Sequence, residues 1–306
     1  MVDSPVVIFG DHSRVVKYVD FDFVLGADGV KILKPIDRLN ARFFYHFLKW
    51  YDVPSLGYSR HFKLLKEIDV PVPPLSEQHH IVEELDLLSS IIEKKKAQLT
   101  ELDNLAQSLF YEMFGDPITN EKGWEVKKLG EICHYSKTRI SSAELSVKNY
   151  VGVENLLQKC EGKMDAAKVP EGTNFTEFVK DDVLIGNIRP YLKKNWLASC
   201  RGGCNGDVLV IRRLPIFQNT VNPIYLFKCL SDDAFFDYDM LFSKGEKMPR
   251  GDKKEILKYP ILLPPIDLQQ QFASKIEAIE HQKELLKQSI KEVETLFNSR
   301  MEYWFS

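Results

Sequence analysis

Asn222-Pro223-Ile224-Tyr225 is one residue away from N-P-P-Y. Amino-methyltransferases use that pattern to hold a target amine on carbonyl groups and to stack an aromatic ring on a flipped base. The second proline is absent here, and no glycine-rich strand–turn–helix for a nucleotide cofactor precedes the segment. It is therefore expected to open a helix carrying Tyr225, Leu226 and Phe227. Asp116-Pro117-Ile118-Thr119 fails in the same way and falls in a linker. Cys200 and Cys204 have no second Cys or His pair at zinc-site spacing, and His79-His80, at a helix start, lacks partner ligands. There is no phosphate loop of the G-x-x-x-x-G-K-[ST] type. The expectation is a non-catalytic chain with no metal site and no cofactor.

Basic loops offer a different chemistry. Lys and Arg on phosphates supply affinity for DNA, and side chains on base edges supply sequence choice. Arg189, Lys193 and Lys194 form one candidate loop, and Lys244, Lys247, Arg250, Lys253 and Lys254 a second. Gly245 and Gly251 would let the second loop approach a groove closely. A third candidate is Tyr58, Arg60, His61 and Lys63, which follow Gly57. Arg14, Lys17, Lys137 and Arg139 are weaker candidates. The net charge of −3 does not oppose this reading, because it hides a segregation. Residues 183–258 hold 13 Lys/Arg against 8 Asp/Glu, whereas residues 76–115 hold 3 against 8. Most charge runs are simply solvated. These loops stand out because they recur at matching places in two copies of a repeat.

The repeat is anchored by Pro73-Pro74 and Pro264-Pro265, 191 residues apart. Each pair closes an apolar run (IDVPVPPL, YPILLPPI) and precedes a long stretch without Pro or Gly. Upstream, GYSRHFKLLKE (57–67) sits where GEKMPRGDKKE (245–255) sits, and DGVKIL (28–33) resembles GDVLVIRR (206–213). Both precede stretches expected to be helical and bearing aromatics, NARFFYHFLKWY (40–51) and NPIYLFKCL (222–230), and VVIFGDHSR (6–14) resembles VLIGNIRP (183–190) at a spacing of 178 rather than 191, so the loops between differ in length. The second copy has a further opening, GWEVKKLGEICHYSK (123–137), with no counterpart in the first. The expected domains are a partial first module over 1–75, a helix over 76–115, a complete module over 116–265 and a second helix over 266–306.

The first helix should be N-capped by Ser76. It carries Ile81, Leu85, Leu88, Ile92, Leu99, Leu102, Ala106, Leu109 and Met113 at alternating steps of three and four, with Lys95 as an intruder. The second carries Phe272, Ile276, Ile279, Leu286, Ile290, Val293 and Phe297, interrupted by Lys283 and Arg300. Their heptads are in phase, and both helices outrun a small module. An antiparallel coiled coil with Leu85, Leu88, Ile92, Leu99, Leu102, Leu109, Ile276, Ile279, Leu286, Ile290, Val293 and Phe297 in its seam is expected.

Val70–Gln78 (VPVPPLSEQ) and Leu262–Gln269, each followed by its helix, resemble the DNA-specificity subunit of type I restriction–modification systems. GWEVKKLGEIC (123–133) is similar to the family's module opening, and GNIRPYLKK (186–194) to its mid-module strand and loop. The resemblance implies a mixed α+β fold, with two α/β target recognition domains separated by two long helices forming an antiparallel coiled coil. It implies that each module reads half of a bipartite double-stranded DNA target and that the helices act as a ruler. It also implies docking to methyltransferase subunits and, through them, to a motor-nuclease subunit. The first recognition domain departs from the pattern: it lacks the portion equivalent to 123–182. A truncated reading frame, a recombination cassette and a second chain completing the domain stay open as explanations.

Two competing readings come from other classes: a coiled-coil scaffold without DNA affinity, and a stand-alone DNA methyltransferase. Apolar residues at 44% allow real cores, and no apolar run approaches the length of a membrane span. Five cysteines at irregular spacings argue for a reducing cytoplasm.

Overall fold

Two glutamines explain why each long helix starts where it does. Gln78 and Gln269, 191 residues apart, are both 0% exposed. The Gln78 amide donates to the carbonyls of Arg38 (2.9 Å) and Pro73 (2.7 Å), and its Oε1 accepts from the Asn40 backbone N–H (2.7 Å). Gln269 repeats this arrangement. It donates to Thr220 (3.1 Å) and Pro264 (2.8 Å) and accepts from the Asn222 N–H (2.9 Å). Asn40 and Asn222 each cap the following helix through their side chains. One amide therefore ties the Pro-Pro segment, a helix cap and the loop before it into a single buried knot. Ser76 is not the N-cap. The helix begins at Leu75, and the Pro74 carbonyl accepts from the N–H groups of Glu77 and Gln78.

The computed structural model describes residues 2–26, 29–172 and 174–306. Asp28, in the segment compared with 206–213, lies outside the described residues. The fold mixes helix and sheet. It divides into two compact units, residues 1–102 with 282–306 and residues 103–281. The division falls inside both long helices rather than at their ends.

In the first unit, β1 (Val6–Gly10) lies between β2 (Val16–Val19) and β3 (Val30–Leu33), antiparallel to both. Next come α1 (Ala41–Tyr51), the short α2 (Phe62–Leu65) and α3 (Leu75–Phe114), whose residues up to Leu102 belong to this unit. The core joins Val7 and Phe9 of the sheet, Phe43, Phe47 and Leu48 of α1, and Ile81 and Leu85 of α3. His46 is 2% exposed and bonds Asp86 at 2.7 Å, and Arg42 bonds the same carboxylate. Burial pulls the His46 imidazole below its ordinary range despite that carboxylate.

The second unit opens with β4 (Glu125–Lys128), α4 (Leu129–Ile132) and β5 (Cys133–Tyr135). Strands β6 (Arg139–Ile140), β7 (Tyr150–Val151), β8 (Phe175–Phe178), β9 (Val183–Gly186), β10 (Asn195–Leu197), β11 (Gly202–Cys204) and β12 (Val208–Arg213) follow. They form two four-stranded sheets, ordered β10-β9-β12-β5 and β6-β8-β11-β7. Then come α5 (Pro223–Cys229), α6 (Asp233–Phe242), α7 (Lys253–Ile256), β13 (Pro260–Leu263), which pairs with β4, and α8 (Ile266–Phe305).

The two long helices, each about 60 Å at 1.5 Å per residue, run antiparallel. In the first unit, Glu84 of α3 meets Arg300 of α8, and Lys96 meets Glu294 at 2.7 Å, so one number rises as the other falls. Met301 and Phe305 enter that unit's core, with Phe305 edge-on to Phe43 at 5.4 Å. In the second unit, Phe272 lies against Phe110 and Phe114, at 5.7 and 5.1 Å between ring centres. Leu85, Ile276, Ile279 and Ile290 are buried. Leu88, Ile92, Leu99, Leu102, Leu109, Leu286, Val293 and Phe297 are half-buried. Leu87, Leu105, Leu285 and Leu296, off the three–four spacing, are exposed. Among the described residues no helix is long and apolar enough to cross a membrane.

Candidate nucleic-acid interface

In the second unit, two basic loops distant in sequence meet. The Arg189 N–H donates to the Pro249 carbonyl at 2.7 Å, and Ile188 bridges to Arg250. Arg250 also pairs with Lys244 through reciprocal backbone bonds of 2.9 Å, which closes the 244–250 loop on itself. Gly245, at φ 102°, supplies the turn inside it. Arg189 and Lys193 both sit in the left-handed region, at φ 54° and 51°, and flank the turn Pro190–Leu192. Such geometry is uncommon for residues other than glycine and is held here by surrounding contacts.

The cations divide into two groups. Lys244 reaches Asp252 at 2.7 Å, Arg250 reaches Asp207 at 3.2 Å, and Lys193 reaches Asp233 at 2.6 Å. The Lys244 ammonium and the Lys254 backbone N–H hold the Asp252 carboxyl down to about 2, so that carboxylate stays charged. Lys194 donates to the Val153 carbonyl at 3.0 Å. Among the described residues no carboxylate lies within ion-pair reach of Arg189, Lys247, Lys253 or Lys254, and all four are exposed. The charge available to an external anion thus comes from Arg189 and Lys247 at the meeting of the loops, and from Lys253 and Lys254 on α7.

Beneath this surface lie three buried oxygens without a hydrogen-bond partner among the described residues: Asn187 Oδ1 and both carboxylate oxygens of Asp239. All three crowd the Gly251 backbone, where a Cβ would collide with them. Burial pushes the Asp239 carboxyl up to about 6.

In the first unit, Asp11 organises the corresponding loop. Its carbonyl accepts from the His61 N–H at 2.9 Å, and its Oδ1 accepts from the Phe62 N–H at 2.8 Å. Tyr58, Arg60 and Lys63 are exposed, and Tyr58 stands clear of all packing except His12, 6.2 Å away. His61 departs from the sequence expectation. It is 1% exposed, its Nδ1 lies 2.9 Å from the Asp11 carbonyl, and its Nε2 accepts from the Leu56 N–H at 2.9 Å. Neither nitrogen is left for a phosphate, so His61 braces the loop. Arg14 is likewise occupied, by the Val53 carbonyl at 2.8 Å and by Asp52.

The carboxylates at the site were missed by sequence reasoning. Asp252 sits inside the basic run, where the Gly251-Asp252 step was a usable signal. Asp207 and Asp233 come from other segments, and nothing in their local sequence marks them as partners of Arg250 and Lys193.

Comparison with known proteins agrees with this architecture. The profile of the family described as "Type I restriction modification DNA specificity domain" matches residues 7–103 and 121–295. The Type I restriction enzyme EcoDI specificity subunit of Escherichia coli is 23% identical over 103 residues, which is 34% of this chain and 22% of that protein. The chain thus matches less than a quarter of that relative's length. The crystal structure of a Type-I restriction-modification system S subunit from M. genitalium superposes with a TM-score of 0.59 at 14% identity, covering 100% of this chain and 84% of that one. A structure reported for complex assembly and conformational transition of the type I R-M system gives 0.58 at 16% identity, covering 99% and 82%. At these identities the likeness concerns the fold. The family profile spans most of the sequence, in two segments that follow the internal repeat, and the chain belongs to the type I restriction–modification DNA specificity family.

Proposed function

We propose that this chain is the sequence-reading subunit of a type I restriction–modification complex. In this reading each unit contacts one half of a bipartite double-stranded DNA target. The chain itself performs no chemistry, and it docks methyltransferase subunits through which a motor-nuclease subunit is recruited. The observation that carries the reading is the meeting of the 186–194 and 244–254 loops, which leaves Arg189, Lys247, Lys253 and Lys254 exposed without an intrachain carboxylate. Cations of this kind suit phosphates, and the planar guanidinium of Arg189 also suits a guanine edge. In the first unit Tyr58, Arg60 and Lys63 take the corresponding role.

The test is DNA binding by the chain assembled with its methyltransferase subunit, followed across salt concentration. Replacing Lys247 and Lys254 with Ala together should weaken binding about tenfold at moderate salt and reduce the salt slope by roughly two. Arg189→Ala should weaken binding to the preferred sequence more than to other DNA. If affinity and salt slope stay unchanged in all three positions, the loops do not contact DNA, and the scaffold reading takes over.

A further inference from the structure

The two basic loops of the second unit rest on a floor that has acceptors but no donor. Asn187 Oδ1 and both carboxylate oxygens of Asp239 are buried, and none of the three has a hydrogen-bond partner among the described residues. At 5% and 2% exposure, the two side chains lie out of reach of bulk solvent. A Cβ on Gly251 would stand 2.3 and 2.8 Å from the Asp239 oxygens and 2.9 Å from Asn187 Oδ1. Three acceptors thus crowd around one point, and buried acceptors of this kind are costly unless paired. A single proton relieves them, because a neutral carboxyl donates one hydrogen bond and an amide oxygen accepts it.

The surroundings favour the neutral acid. From β5 the carboxyl meets the Tyr135 phenol, whose hydroxyl is already spent on the Lys253 carbonyl at 2.8 Å. The 244–252 loop brings Lys244 and Arg250, but these turn to Asp252 and Asp207. On α7, Glu255 is held by Lys258 at 2.8 Å, and Lys253 and Lys254 are exposed. The 189–193 turn brings Arg189, which is exposed, and Lys193, which is drawn to Asp233. On α6 itself Asp237 is exposed. Burial therefore pushes the Asp239 carboxyl up with no cation to oppose it. The floor is also joined to both loops. The Asn187 carbonyl accepts from the Gly251 N–H at 3.4 Å, and the next residue, Ile188, bridges to Arg250. A charge on Asp239 is thus felt by the backbone that carries Arg189 and Lys247.

We propose that Asp239 is a positioning residue for the DNA contact: it holds a proton, donates it to Asn187 Oδ1, and so seats the Gly251 backbone between the two loops. The proposal deepens the proposed function and rests on the reading of these loops as a DNA surface. Loss of the proton leaves three acceptors facing one another and loosens the hairpin that Lys244 and Arg250 close. A phosphate backbone laid over the loops makes a buried carboxylate costlier still, so DNA binding takes up a proton at Asp239.

Two measurements test it. In the first, the DNA affinity of the chain assembled with its methyltransferase subunit is followed from about pH 6 to about pH 8, and it should fall about tenfold or more. Asp239→Asn, whose amide donates to Asn187 Oδ1 without titrating, should hold its affinity to within about twofold. Asn187→Asp, which sets two carboxyls to share one proton, should move the fall up by about one pH unit. In the second, backbone hydrogen exchange of the full chain without DNA is compared at about pH 5.5 and about pH 7.5, corrected for the intrinsic rate. The Lys244 and Arg250 N–H groups should exchange about tenfold more slowly at the lower pH, and equally at both in Asp239→Asn. Equal exchange in the unaltered chain, or a fall in affinity that Asp239→Asn shares, overturns the proposal; this is the result if Asn187 instead turns its Nδ2 to a charged Asp239. An exchange difference with no DNA affinity at any pH would keep the proton-bridged pair and remove the DNA reading.

Discussion

The two units share one device and differ in another. Gln78 and Gln269 make the same three hydrogen bonds, to corresponding partners, in surroundings that are otherwise unlike. Among the described residues the first unit has one three-stranded sheet, whereas the second extends the matching sheet by β5 and adds another four-stranded sheet and the β4–β13 pair. The glutamine knot is thus a local property of the repeat, encoded by a cap, a Pro-Pro pair and one amide. The sheet edges depend on more distant chain. Their burial is high where β4 and β5 are present and low where they are not.

Three measurements sharpen or break that comparison. The largest effect concerns the knot. Gln269→Ala removes three hydrogen bonds from a fully buried side chain and strands an N–H and two carbonyls, at a cost of about 3 kcal/mol. Gln78→Ala should cost the same to within about 1 kcal/mol. Denaturant unfolding of both variants checks this, and a severalfold disparity would end the claim that the knots are equivalent.

The next two effects have opposite pH dependence. Asp239, in the second unit, has its folded pKa raised to about 6 from 3.8 by burial. Its contribution is fully present below the unfolded value and is lost as pH rises through the folded one, so the second unit should gain stability between about pH 6 and 4. Asp239→Asn should stabilise the protein at pH 7 by about 2 kcal/mol and by much less at pH 4. Thermal melts at the two pH values would show it. Glu84, in the first unit, accepts from the Arg300 guanidinium and from Trp304 at 2.9 Å, and the Arg300 bond holds its carboxyl below 4.5. That contribution is present above the unfolded value and is lost as pH falls. Glu84→Gln should cost about 1 kcal/mol at pH 7 and almost nothing at pH 3, and Trp304 fluorescence would report it.

The long helices were legible because periodicity and prolines mark them. The expected 76–115 and 266–306 correspond to Leu75–Phe114 and Ile266–Phe305. The site was legible in part. Basic, glycine-bearing loops stand out in sequence, but the pairing of Arg189 with Pro249 and of Arg250 with Asp207 is set by tertiary approach. His61 misled because a histidine between Arg60 and Lys63 looks like part of a basic surface, while its ring in fact serves the Leu56 and Asp11 backbone. Gln78 and Gln269 were visible as repeated letters. Their role was not, since a glutamine in the first turn of a helix is more often solvated than buried.

The core of the first unit contains Met301 and Phe305 beside Val7, Phe9 and Phe43. Residues close to the beginning of the chain therefore wait for residues close to 305 before their hydrophobic surface can close. The second unit draws its contacts from one continuous stretch, residues 103–281, and so closes with shorter loops than the first.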